Sequence, residues 1–275
     1  MRWWRMLALP LGVAGFVNVG ALAPLAEAKP ARPLVKAAPR PADRLVAKVA
    51  KVVRPTVAPA AAPVRLVAEE APVVDPAGGW GALPAGRSFG DGEAVGTWRV
   101  GFTGYGTVRA EDDGGLVLAL RPKASSRADE THAALVHSGA TYGDVDLRLR
   151  VKTVAQLRSG STPNAWESTW VLWHYADNTH FYYLALKPNG WELGKEDPAY
   201  PGAQRFLATG ADVRFPVGGW HDVHVRQTGS TSTIEVDGQV LTTFVDRERP
   251  YGSGRIGLYS EDAHVRFAGV VVAPA

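Results

Sequence analysis

Between residues 98 and 272, apolar and polar positions alternate with a period of two. Val145, Leu147, Leu149 and Val151 alternate with Asp146, Arg148 and Arg150, and Val223 and Val225 alternate with Asp222, His224 and Arg226. Period two puts successive side chains on opposite faces of a strand. Twelve strands are predicted: 98–102, 116–121, 132–137, 145–151, 168–175, 180–187, 191–195, 220–227, 233–236, 239–245, 254–259 and 265–272. Turns rich in Gly, Asn, Asp and Pro separate them, and no apolar stripe at helical spacing lasts three turns. Many short strands with such turns predict an all-β fold, a two-sheet antiparallel β-sandwich of jelly-roll type.

The densest segment is WVLWHYADNTHFYYLALKPNGWELGKE, from position 170 to 196. Asn189-Gly190 is a two-residue hairpin signal, which would set Lys187 opposite Glu192 and Leu186 opposite Leu193. A turn over 176–179 would set His174 opposite Phe181. Val171, Trp173, Tyr175, Tyr182, Leu184, Leu186 and Leu193 then share a core face. Trp170, His174, Tyr183, Lys187, Glu192 and Glu196 share the other. A three-residue loop would slip one strand and exchange its faces.

The N-terminus changes the picture. Arg2 and Arg5 precede an apolar run that ends in Ala26-Glu27-Ala28. This pattern predicts a secretory signal peptide over 1–28, with no stable membrane anchor after cleavage and a secreted, extracellular or envelope-associated location. Residues 29–75 consist mostly of Ala, Val, Pro, Lys and Arg, with no glycine and no aromatic residue. They read as an extended linker that forms no core, leaving 76–275 as the folded domain. The formal charge of +3 is uneven: the linker carries +5 and residues 76–275 carry −3. The linker therefore suits an acidic envelope polymer, and nothing in the domain's charge points to nucleic acid. The chain has no cysteine, which excludes disulfides, thiolate metal sites and cysteine nucleophiles. No zinc-binding spacing of histidines occurs, so no catalytic cofactor is expected.

Several segments together carry a family resemblance: GTWRVGFTG and EDDGGLVLAL, then GDVDLRLRV, YADNTHFYYLALKPNGWELGK, GGWHDVHVRQTGSTSTIEVDGQVLTTFVD and GSGRIGLYSEDAHVRFAGVVV. Over about 89–275 the chain resembles the concanavalin A-like (laminin G-like) sandwich superfamily. Within it, the chain is most similar to secreted domains of the 3-keto-disaccharide hydrolase type. The resemblance implies the sandwich fold and a polysaccharide or oligosaccharide partner. It also implies a structural calcium ion near the chain ends, for which Asp262 and Asp91 are the candidate donors; an ordinary acidic turn is the other reading of Asp262. The superfamily contains glycoside hydrolases, polysaccharide lyases and binding modules, and the E-x-D-x-E strand of laminarinase-like hydrolases is absent.

The chemistry therefore rests on the residues. Trp170 and Tyr183 offer stacking surfaces for a pyranose. Glu192 and Glu196 offer an acid and a base, although i, i+4 on a strand separates them by about 13 Å, more than a glycosidase pair requires. For a lyase, His174 or Tyr183 would be the base, with Lys187 or Arg205 neutralising a carboxylate. Tyr200 and Arg205 sit in the segment GKEDPAYPGAQRFLATG, read as a loop walling the site. Hydrolysis, lyase cleavage and binding without catalysis all remain open at this level.

Overall fold

The computed structural model describes residues 83–275; the signal-peptide and linker readings fall outside them. Sixteen strands form: β1 (Ser88–Phe89), β2 (Ala94–Val95), β3 (Trp98–Phe102), β4 (Thr107–Asp112), β5 (Leu116–Arg121), β6 (Ala133–Ser138), β7 (Val145–Gln156) and β8 (Thr169–Asp177). The remainder are β9 (His180–Lys187), β10 (Gly190–Glu196), β11 (Gln204–Gly210), β12 (His221–Thr228), β13 (Thr231–Val236), β14 (Gln239–Val245), β15 (Arg255–Glu261) and β16 (Ala263–Ala273). The first sheet runs β1-β4-β5-β16-β7-β12-β13-β14, and the second runs β11-β10-β9-β8-β15-β6-β3-β2. All the pairings are antiparallel. Among the described residues no helix is long and apolar enough to cross a membrane.

The alternating positions meet as predicted. Leu147, Leu149, Val223, Val225, Ile234 and Phe267 of the first sheet pack against Val171, Trp173, Tyr182, Leu184, Leu193 and Leu258 of the second. β1, β2, β4 and β11 were not predicted as strands. β11 lies at a sheet edge, where one neighbour suffices and the sequence need not be strongly apolar; the "loop" that contains it is half strand.

The hairpin between β9 and β10 turns at Pro188-Asn189, one residue earlier than predicted, so that Lys187 pairs with Gly190 and Leu186 with Trp191. The summed register shifts by two residues. Because the side-chain period is also two, every face is kept. Gly190 is required where it stands: a Cβ there would lie 2.0 Å from the carbonyl oxygen of Gly210.

A buried ion network ties the two sheets together. Lys195 on β10 donates to Asp246, just beyond β14, at 2.9 Å, and to the carbonyls of Glu248 and Arg249. Tyr182 donates to the same carboxylate at 2.6 Å. Burial alone would push the Asp246 carboxyl up, but the hydrogen bonds from Tyr182 and Lys195 outweigh it and hold it below the usual range. Asp246→Ala removes the nearer counter-ion of a fully buried ammonium, leaving only Asp197 at 3.9 Å, and should cost about 3–5 kcal/mol. Adding Lys195→Met should recover part of that loss, as read by urea denaturation of both variants.

Candidate functional site

The outer face of the second sheet carries a second apolar cluster. Trp170 and Leu172 on β8, Phe181, Tyr183 and Ala185 on β9, and Leu135 on β6 are buried there with Tyr175, against Phe102, Trp166 and Tyr259. Carboxylates border this aromatic floor. β10 contributes Glu192 and Glu196; β15 contributes Glu261 beside Tyr259.

Two tyrosine–glutamate pairs flank Trp170. Tyr183 donates to Glu192 Oε1 at 2.7 Å, and Tyr259 donates to Glu261 Oε1 at 2.7 Å. The Trp170 ring centroid lies 4.5 Å from that of Tyr183 and 5.7 Å from that of Tyr259. Gln204 on β11 donates to the Tyr183 hydroxyl at 2.6 Å. Lys187 donates to Glu192 Oε2 at 2.7 Å. Gly194 makes the first pair possible. A Cβ at 194 would stand 2.1 Å from the Tyr183 Cζ and hydroxyl oxygen, so only glycine lets the ring cross β10 toward Glu192.

These environments separate the carboxyls. Burial, then the charges of Glu261 and Glu192, push Glu196 up to about 8. Burial pushes Glu261 up to about 7 against the lowering effect of the Tyr259 hydrogen bond, with Asp262, Glu167 and Glu192 adding to the rise. Glu261 Oε2 is buried without a hydrogen-bond partner. Glu192, by contrast, is salt-bridged. Two carboxyls raised in this way beside a third held in an ion pair can serve as proton donor and proton acceptor in one site. Burial also lifts both tyrosine hydroxyls well above their usual range, helped by the glutamates they face, so both stay hydrogen-bond donors.

The raised Glu196 has a consequence for stability. The folded chain keeps a proton there that the unfolded chain loses above about 4.5, so this group makes stability fall as pH rises from about 4.5 to about 8. Glu196→Gln should flatten that part of the melting-temperature profile and raise the melting temperature at pH 8. A wild-type melting temperature that rises across this window, unchanged by the substitution, would contradict the assignment.

The structure sets Tyr183, Glu192, Glu196 and Lys187 on one face, but Tyr183 is fully buried and its hydroxyl, raised well above its usual pKa, donates to Glu192, so it is neither an open stacking surface nor a base; the rest are rearranged. Trp170 lies at the site but is only 3% exposed; its indole donates to the Trp166 carbonyl at 2.8 Å, making it a floor and not an open stacking platform. His174 leaves the face altogether. The β8–β9 pairing breaks between Trp173 and Asp177, and His174 adopts φ 49°. This bulge reverses the alternation, turning Tyr175 outward and His174 in. The imidazole is 1% exposed, with Nδ1 2.7 Å from the Tyr251 carbonyl and Nε2 2.7 Å from that of Gly143. Burial lowers its pKa against these carbonyl contacts. It clamps two segments and has no nitrogen free to act as a base.

Tyr200 and Arg205 belong to the Asp246 network: Arg205 bonds Asp246 and Glu248, and Tyr200 donates to Glu248. Asp262 is fully buried as the counter-ion of Arg158, at 2.8 Å, and accepts further bonds from Ser125 and the His132 amide. Asp91 accepts from the Thr103 amide. No hydrogen bond joins Asp91 to Asp262, and among the described residues no group of three His, Cys, Asp or Glu side chains is arranged to hold a metal ion. Glu261 and Tyr259 were not anticipated, and Gln204 was read only as part of the loop walling the site. Alternation in RIGLYSE does place Tyr259 and Glu261 opposite Ile256 and Leu258, but only the pairing of β15 with β8 carries them to Trp170.

Comparison with known proteins adds the following. Residues 85–272 match the family described as the 3-keto-alpha-glucoside-1,2-lyase-like domain. The carbohydrate-binding module CBM66 from Bacillus subtilis superposes with a TM-score of 0.48 at 15% identity, covering 64% of this chain and 95% of that one. A carbohydrate esterase from the Shiga toxin-encoding bacteriophage phi24B gives a TM-score of 0.41 at 14% identity, covering 70% and 99%. A sialidase gives 0.46 at 12% identity, covering 70% of this chain and 19% of that one. No curated protein matches the sequence.

Proposed function

The chain belongs to the 3-keto-alpha-glucoside-1,2-lyase-like domain family, and from that premise we propose that this carbohydrate-active sandwich eliminates the C1 substituent of a 3-keto-glucoside at its outer-face glutamates. A ketone at C3 acidifies the C2 hydrogen. A base removes that proton, the C1–O bond breaks as the C1–C2 double bond forms, and the departing oxygen takes a proton from an acid. Glu192, oriented by Tyr183 and Lys187, is the base. Glu196, which holds its proton at neutral pH, is the acid: its backbone stands about 13 Å from that of Glu192 along β10, so the reading requires the two side chains to lean toward each other over one sugar, and Glu261 with Tyr259 completes the wall of the site. The observation that carries this reading is the meeting of a salt-bridged Glu192 with two carboxyls pushed up to about 8 and about 7. The apolar run and basic segment at the N-terminus support export and contact with an acidic envelope polymer.

The purified chain should be incubated with a 3-keto-α-glucoside and with the unoxidised glucoside. An unsaturated keto sugar released only from the former supports elimination. Reducing ends without unsaturation indicate hydrolysis. Saturable binding of either sugar with no turnover reduces the domain to a binding module, and absence of both binding and turnover refutes the reading.

A further inference from the structure

The cations expected to meet an acidic sugar are already committed: Lys187 bridges Glu192, and Arg205 bridges Asp246 and Glu248. The same outer face carries another set. Arg99 on β3 and His137 on β6 are directly opposed in register. Their neighbours Trp98, Val100 and Val136 lie in the core between the sheets, so Arg99 and His137 project outward. Arg255 on the next strand, β15, pairs with Tyr175, the residue that the His174 bulge turned to this face. The rings of Tyr175 and His137 stack with centroids 5.8 Å apart and planes inclined by 21°.

The carboxylate whose charge reaches Tyr175 is that of Asp177, and it is committed to Thr179 and His180. Among the described residues, neither arginine forms an ion pair: Arg99 donates to the Gly92 carbonyl at 2.6 Å, and Arg255 makes no side-chain hydrogen bond. Directly opposed like charges on neighbouring strands are unfavourable. His137 registers this. Burial lowers its pKa first, the nearby Ser138 carbonyl opposes the fall, and the charges of Arg255 and Arg99 lower it further. Tyr175, pushed up to about 12 by burial, stays neutral and offers no anion in compensation. Its hydroxyl donates to Asn178, so its ring is a wall and not a donor. Two guanidinium forks without an ion-pair partner, beside an imidazole, are a donor set that suits an oxyanion.

We infer that Arg99, His137 and Arg255, walled by Tyr175, form a subsite for an oxyanion, whether carboxylate, sulfate or phosphate, carried by the glycan that lies on this face. Four strand spacings, roughly 19 Å, separate the backbones of Glu196 and His137. The anion therefore belongs to a sugar unit other than the one at the glutamates. The inference rests on this face being the glycan site, but it requires no catalysis there.

The test is a titration of the full chain with sodium sulfate at constant ionic strength, exchanged against chloride, following the His137 ring by NMR. Expected are a saturable shift, a rise in the His137 pKa on binding, and at least a tenfold loss of affinity in Arg99→Gln and Arg255→Gln with melting temperatures unchanged. Parallel titrations with glucuronate and glucose 6-phosphate separate the carboxylate and phosphate sources, with glucose as the uncharged control. A saturable response to any one anion, lost in the variants, supports the subsite and names its source. No saturable response to any of the three, or an equal response in both variants, overturns it. Turnover of the keto sugar is read separately, so the two proposals fail independently.

Discussion

Trp173→Ala should destabilise the domain by roughly 3–5 kcal/mol, read as a lower urea midpoint at an unchanged m-value. The side chain is fully buried between the sheets. Its ring stacks on Tyr182 at 5.7 Å, with the planes inclined by 24°. Its indole donates to Gln227 Oε1 at 2.6 Å, and Gln227 also accepts from Ser232 and donates to the Gly229 carbonyl. Alanine therefore opens a cavity among β8, β9 and β12 and removes one bond from a buried amide. Trp173→Phe keeps most of the ring and should cost about 1–3 kcal/mol, near the penalty for a buried polar group that has lost a partner. Trp170→Ala is the informative control. That indole is also buried, but on the outer face, where neighbouring side chains and water can enter the space. A smaller loss of stability is expected there, together with loss of sugar binding, because Tyr183 and Tyr259 lose the ring that spaces them. Equal destabilisation by the two alanines would mean that the outer cluster is as closed as the core.

That both faces of this segment could be read in the sequence follows from an arithmetic property of strands. The hairpin turn was misplaced by one residue, yet Tyr183, Lys187, Glu192 and Glu196 kept their common face because the register moved by two. The bulge at His174 had the opposite effect: one extra residue on β8 relative to β15 exchanged His174 and Tyr175. No local signal announces it, because its cause lies about eighty residues away. A Cβ at Gly254 would stand 2.3 Å from the His174 carbonyl carbon; of the carbonyls that hold the imidazole, that of Tyr251 comes from the same loop and that of Gly143 from another segment. Glu261 was hidden for a related reason. Periodicity gives the face of a strand but not its neighbours, and the order β8-β15-β6 joins strands far apart in the chain. Commitment of charge was local in one case and not in the other: Lys187 met its partner within one hairpin, whereas Arg205 found Asp246 across the sandwich.

Glu192→Gln should lower turnover of a 3-keto-α-glucoside by about 10²–10⁴-fold, the usual scale for losing a positioned base, equivalent to roughly 3–5 kcal/mol of transition-state stabilisation. Glutamine keeps the shape and still accepts the Tyr183 hydroxyl, so the melting temperature should move far less than in Trp173→Ala. Substrate binding should persist, placing the loss in kcat and not in KM. Lys187→Met tests the orienting role: it leaves the carboxylate in place without its ion pair, and a smaller loss of turnover is expected. The alkaline side of the pH profile belongs to Glu196. Its carboxyl must hold a proton to protonate the leaving oxygen, so wild-type activity should fall as pH rises past about 8, the value to which burial and the charges of Glu261 and Glu192 lift it. In Glu196→Gln the residual activity should lose that fall. If Glu192→Gln turns over like the wild type while Glu261→Gln does not, the base is Glu261, whose second oxygen is buried without a partner, and Glu192 serves only to anchor Lys187 and Tyr183.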